Sequence, residues 1–161
     1  MSQRYCFDTS ALIEAWNKYY SMELCPEYWS ILDGMAQNGV VFFTEEVKRE
    51  IDKIDDDLKA WIGGRGHFVQ GITEHVQKHV RDILAEYPNL VDARKDRSMA
   101  DPWVVAHALA ASATLVTKEV AAPVGSQRIK IPDVCTKFSV RCISDFDFIR
   151  EAGIRFTARR E

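Results

Sequence analysis

Arg4-Tyr5-Cys6-Phe7-Asp8-Thr9-Ser10-Ala11-Leu12-Ile13-Glu14-Ala15-Trp16 opens the chain with a change of period. Tyr5, Cys6 and Phe7 form an apolar run that a polar Asp-Thr-Ser cluster stops, which is the pattern of a short strand over 4–7. Directly beyond it, Ala11, Leu12, Ala15, Trp16 and Tyr19 recur at the spacing of one buried helical face, with Thr9 or Ser10 as its cap. The strand therefore passes straight into a helix and leaves Asp8 at the junction.

The same alternation continues downstream. Pro26 starts a second helix with Tyr28, Trp29, Leu32 and Met35 or Ala36 inward, ending near Asn38-Gly39. Residues 40–43 are a continuous apolar run of strand formers, as in a parallel sheet covered on both faces. Thr44 caps an acidic helix from 45 to 57 with Val47, Ile51 and Ile54 on its apolar face, continuing to Ile62 before Gly63-Gly64. Helices over 72–86 and 98–113, a strand over 114–117, a polar loop over 121–127, a strand over 140–143 and a helix over 145–152 complete the reading. Residues 153–161 are a basic tail. No repeat or linker interrupts the chain, so 1–161 reads as one α/β domain, three layers deep (α/β/α), with a mostly parallel central sheet. Sites in such sheets form beyond the carboxyl ends of the strands.

Composition sets the outer limits. A chain of 161 residues with 47% apolar and 28% charged residues has the balance of a folded domain rather than a disordered or fibrous one. No stretch approaches the roughly 18 apolar residues of a membrane span, and residues 1–4 lead into only a few apolar residues before Asp8, so neither membrane insertion nor secretion is expected. Cys6, Cys25, Cys135 and Cys142 form no CxxC pair, so reduced thiols in a cytoplasmic protein are expected. The net charge is −3, but residues 118–161 hold 9 Lys or Arg against 6 Asp or Glu. That basic third can face a phosphate backbone, or simply water.

Four carboxylates fall where chemistry is expected: Asp8 after the first strand, Glu50 on the helix after the second, Asp101 opening the apolar helix, and Glu119 just past the 114–117 strand. Clustered carboxylates repel one another unless cations neutralise them, so their meeting would call for a hard, oxygen-liganded ion such as Mg²⁺ or Mn²⁺. Such an ion suffices for phosphodiester hydrolysis without a protein nucleophile. Each acid has a plainer reading as well. Asp8 and Asp101-Pro102 also look like helix caps, and Glu50 lies on a helix whose Glu45, Glu46, Asp52, Asp55, Asp56 and Asp57 form a solvated acidic face.

Taken together, Asp8-Thr9-Ser10, Val47-Lys48-Arg49-Glu50-Ile51, Ala100-Asp101-Pro102-Trp103-Val104-Val105-Ala106 and Thr117-Lys118-Glu119 resemble the PIN-domain pattern, and the resemblance covers nearly the whole chain. It implies a Mg²⁺- or Mn²⁺-dependent ribonuclease. In the VapC-like branch it implies the toxin of a toxin–antitoxin pair, with an RNA substrate, an antitoxin partner and a homodimer. Asp8, Glu50 and Asp101 match the core acids, Ser10 the small polar partner and Glu119 the fourth acid. Lys130-Ile131-Pro132-Asp133-Val134-Cys135 resembles a feature of a less characterised PIN-like subgroup and makes Asp133 a reserve metal ligand. The fourth position holds Glu119 where Asp is usual, the segment from Glu50 to Asp101 is long and the loop after Glu119 is extended. The alternative from another class is a degenerate PIN-like module that binds RNA or protein without cutting.

Other motifs carry less. His75 and His79 lie four apart on the 72–86 helix, but Val76 stands where a zinc-hydrolase HExxH motif needs Glu, so they read as exposed helix histidines. Ser10 occupies the position where a haloacid-dehalogenase-like phosphatase would need a second Asp. Gly63-Gly64-Arg65-Gly66 lacks the Lys and Ser/Thr of a phosphate loop and reads as a flexible connection. Of Trp16, Trp29, Trp61 and Trp103, Trp61 is the exposed candidate for stacking on a base.

Overall fold

The computed structural model describes residues 3–54, 56–91 and 99–161. Five strands, β1 (Tyr5–Phe7), β2 (Val41–Thr44), β3 (Val69–Gln70), β4 (Thr114–Val116) and β5 (Cys142–Ile143), form one sheet in the order β3-β2-β1-β4-β5. Every pairing is parallel. The helices are α1 (Thr9–Glu14), α2 (Pro26–Gln37), α3 (Glu45–Ile54), α4 (Asp56–Gly63), α5 (Glu74–Glu86), α6 (Asp101–Ala111), α7 (Ile131–Lys137) and α8 (Asp145–Glu151). The result is the three-layer α/β/α arrangement expected from the alternation of periods.

The order places β1 at the centre, with β2 and β3 built outward on one side before the chain returns to lay β4 and β5 on the other. The direction of winding reverses between β1 and β4. A crevice opens at the carboxyl ends of two such strands, because their following segments leave toward opposite sides. Asp8 N–H bonds Val116 O at 2.9 Å and Thr117 N–H bonds Ile143 O at 3.0 Å, so the pairing extends one residue beyond each strand and fixes the crevice floor.

All strand residues of β1, β2 and β4 are buried, consistent with a sheet covered on both faces. Phe148 of α8 packs edge-on against Tyr5 and Phe7, each at 4.9 Å between ring centroids. Trp29 meets Trp16 at 4.8 Å and Trp61 at 5.3 Å between ring centroids. Trp61 is thus half-buried in an aromatic cluster, with the Arg65 guanidinium 4.3 Å from its ring centroid, rather than an exposed stacking platform. Its neighbours Gly63 and Arg65 are not a loose connection: α4 runs through Gly63, and Arg65 donates back to Trp61 O at 2.7 Å.

Several boundaries differ from the sequence reading. The first helix continues as a π-helical turn over Ala15–Tyr19. β3 was invisible, since two residues have no measurable period and Val69 and Gln70 become a strand only by pairing with Phe43 and Thr44. α7 was also missed, although Pro132 in its first turn is a helix-start signal. The expected start of the 98–113 helix at Ser98 lies outside the described residues. Residues 153–161 form no strand, and Phe156 stacks on Tyr20 at 5.3 Å. No described helix is long and apolar enough to cross a membrane.

Candidate active site

The crevice beyond β1 and β4 is a cavity of about 300 Å³ lined by Asp8, Thr9, Ser10, Ile13, Glu14, Glu50, Asp101 and Glu119. The four acids singled out in the sequence therefore share one cavity, although they come from four separate segments. Ser10 joins them. Glu14 is a fifth acid that the sequence reading passed over. It lies four residues after Ser10 on the same helix face, which was the available signal.

Asp8 precedes α1 in extended backbone but makes no side-chain cap hydrogen bond. Its carboxylate turns the other way. Oδ2 accepts from Ser10 Oγ and from Thr117 Oγ1, each at 2.8 Å. Each hydroxyl spends its single proton on Asp8 and accepts a backbone amide in return: Lys118 N–H donates to Ser10 Oγ at 3.1 Å and Glu119 N–H to Thr117 Oγ1 at 3.0 Å. The segment after β4 and the start of α1 are thereby fastened to one oxygen. Oδ1 has no hydrogen bond among the described residues. Asp8 is 4% exposed. Burial pushes its pKa up to about 6, the two hydroxyls oppose that rise, and the charges of Glu119 and Glu50 add to it.

Asp101 is likewise not a cap. Ala100 occupies the cap position of α6, and Asp101 is the first helical residue, buried at 8% exposure. Glu50 spans the cavity: Oε2 accepts from Thr9 Oγ1 at 2.5 Å and Oε1 from Ala100 N–H at 3.2 Å. One side chain of α3 thus positions the starts of α1 and α6, which carry Asp8 and Asp101. Glu46, read from the sequence as part of the solvated acidic face of this helix, is instead buried outside the cavity beside Arg49.

Glu119 and Asp133 part company. Glu119 lines the cavity while its Oε2 accepts from Ile131 N–H at 3.0 Å, joining the loop after β4 to α7. Asp133 lies in the first turn of α7, where Oδ2 accepts from Lys130 N–H at 2.9 Å and Ala122 N–H at 3.2 Å. It is not part of the cavity wall. Thr117 and Asp145 were not recognised in the sequence. Lys118 does not reach toward the cavity. Its ammonium pairs with buried Asp145 at 2.8 Å and lies 4.4 and 4.1 Å from the ring centroids of Tyr19 and Phe146.

Among the described residues, the charged groups lining the cavity are all carboxylates, so this donor set suits a hard cation and offers nothing to a soft one. Among the described residues no three His, Cys, Asp or Glu side chains already converge as a ready-made metal cluster. That spacing is compatible with Mg²⁺ or Mn²⁺, since Mg²⁺ commonly keeps several waters and takes only one or two carboxylates directly.

An acid-lined cavity at the switch point of an all-parallel sheet, with these crossovers, defines an α/β domain of PIN-like fold. Within that class, residues 5–156 match the family described as Domain of unknown function (DUF4411), and the chain belongs to it. No curated protein matches the chain. A similar solved structure is that of VapBC2 from Rickettsia felis bound to a DNA fragment from their promoter. It shares 15% sequence identity over 88% of this chain and 98% of that one, with a TM-score of 0.50, a likeness of fold.

Proposed function

We propose that this protein is a Mg²⁺- or Mn²⁺-dependent endoribonuclease that hydrolyses RNA phosphodiester bonds in the acid cavity. The observation that carries the proposal is the meeting of Asp8, Glu50, Asp101 and Glu119 in one cavity at the β1/β4 switch point. Burial raises the pKa of Asp8 to about 6, the charges of Glu119 and Glu50 add to the rise, and a divalent ion would supply a compensating positive charge. Asp8, Asp101, Glu50 and Glu119 are the residues that would hold it, with Asp133 second to Glu119.

When bound, such an ion polarises a phosphodiester oxygen and lowers the pKa of an attacking water. The chain's own residues do the positioning. Ser10 and Thr117 hold Asp8 Oδ2 and leave Oδ1 available, and Glu50 fixes the approach of α6 to α1. By likeness of fold to VapBC2, the biological setting proposed is the toxin of a toxin–antitoxin pair, with an antitoxin partner and a homodimeric assembly.

The test is incubation of unstructured RNA with the purified protein and Mn²⁺, beside Asp8→Asn and Asp101→Asn. Cleavage by the wild type that either substitution abolishes is expected. Cleavage surviving both would remove the site from consideration. RNA binding without cleavage by any of the three would establish a binding module instead.

A further inference from the structure

Away from the acid cavity, α5 carries His75 and His79 one turn apart, with Nε2 of one ring 3.3 Å from Nε2 of the other and the ring planes at 71°. In a tetrahedral zinc site the Zn–N bonds are about 2.0–2.1 Å, so two ligating nitrogens stand about 3.3–3.4 Å apart. The two ring nitrogens already have the separation of adjacent corners of that tetrahedron.

We propose that His75 and His79 chelate a late first-row transition ion, with Zn²⁺ as the reference, through their two Nε2 atoms and with water completing the coordination. Imidazole nitrogens suit Zn²⁺ and its neighbours and have little affinity for Mg²⁺, so the site is chemically distinct from the acid cavity. In the ion-free pair one Nε2–H donates to the other Nε2. Ligation requires both lone pairs, so that proton passes to Nδ1 of the same ring and none need be released from a neutral pair.

The surroundings favour the neutral form. The pKa of His79 is lowered by partial burial and by the neighbouring His75 and Lys78, against the attraction of Asp82. Asp82 follows His79 by three residues on the same face and supplies negative charge close to the ion. With two protein ligands the affinity falls below that of a four-ligand structural zinc site. The ion nevertheless ties two successive turns of α5 together, so binding favours the folded chain by mass action.

The proposal makes no use of RNA or of the nuclease reading, and its test is separate. The full chain, in excess Mg²⁺ to occupy the acid cavity, is titrated with ZnCl₂ by calorimetry and by thermal denaturation. One Zn²⁺ per chain and a rise in Tm are expected. His75→Gln and His79→Gln should each weaken binding by at least about 10-fold, the smaller loss seen when only a supporting contact of a metal ligand is removed. Both substitutions are on a solvent-facing stripe, and Mn²⁺-dependent activity should be unchanged in both. Absence of binding, or Zn²⁺ binding that both variants retain in full, overturns the proposal.

Discussion

Thr117 at the carboxyl end of β4 donates a 2.8 Å hydrogen bond to Oδ2 of Asp8 at the carboxyl end of β1. Two strands that are neighbours in space but 109 residues apart in sequence are thus joined at the charged group that the proposed chemistry depends on. A hydrogen bond to the ionised form holds a carboxylate's pKa down against burial.

Thr117→Val removes that bond and should raise the pKa of Asp8 above its value of about 6. The acid limb of Mn²⁺-dependent cleavage then moves to higher pH, and Thr117→Ser restores it. A pH–rate profile over the three proteins checks this, and an unmoved limb in the valine variant would count against Asp8 as the ionising group.

Asp8→Asn is expected to abolish cleavage and yet stabilise the metal-free fold. The folded pKa of about 6 lies above the ordinary value of 3.8, so between those pH values the native state binds more protons than the unfolded one. Stability is therefore lost as pH rises through that window. The shift corresponds to about 3 kcal/mol as an upper bound, or about 6–12 °C in Tm at pH 8 in EDTA. The gain should vanish toward pH 4, as followed by thermal denaturation across pH.

His107 on α6 produces the opposite slope. It is 3% exposed, its Nε2 has no hydrogen-bond partner among the described residues, and burial pulls its pKa down to about 4 from 6.5. Here the native state binds fewer protons than the unfolded one, so stability is lost as pH falls from 6.5 toward 4. His107→Leu should remove that loss, with its advantage over wild type growing to about 3 kcal/mol at the acid end. Urea denaturation at pH 7 and pH 4.5 measures it, and an equal difference at the two pH values would mean that His107 is not held neutral.

Lys118→Met leaves Asp145 buried without its cation. Since the Lys118 side chain is 11% exposed and that of Asp145 0%, the loss should fall in the range of about 3–5 kcal/mol found for breaking a buried pair. Lys118→Met combined with Asp145→Asn should recover much of it. A double-mutant cycle by denaturant unfolding tests the coupling, and additive losses would show that the two residues act independently.

Much of the site was legible because its residues sit next to strong local signals. Asp8 follows an apolar run, Asp101 opens an apolar helix and Glu119 follows a strand. The two capping alternatives were equally legible and equally local. Nothing in Asp-Thr-Ser or Ala-Asp-Pro says whether a carboxylate turns back to its own helix or across to another element. Packing settled that: Asp8 turns to Ser10 and Thr117, and Ala100 rather than Asp101 occupies the cap position. Asp133, read as a reserve ligand, lies outside the cavity wall, and its Oδ2 accepts two backbone amides at the start of α7.

The sequence by itself determined the α/β class, most of the elements and the four acids that share the cavity, because hydrophobic period and strand-end position are properties of neighbouring residues. Only the tertiary structure decided the sheet order, the two-residue β3, the burial of Trp61, the choice of Glu119 over Asp133 for the cavity wall and the partnership of Lys118 with Asp145. Each of these rests on contacts between segments distant in sequence, and no local pattern encodes which distant partner a side chain will meet.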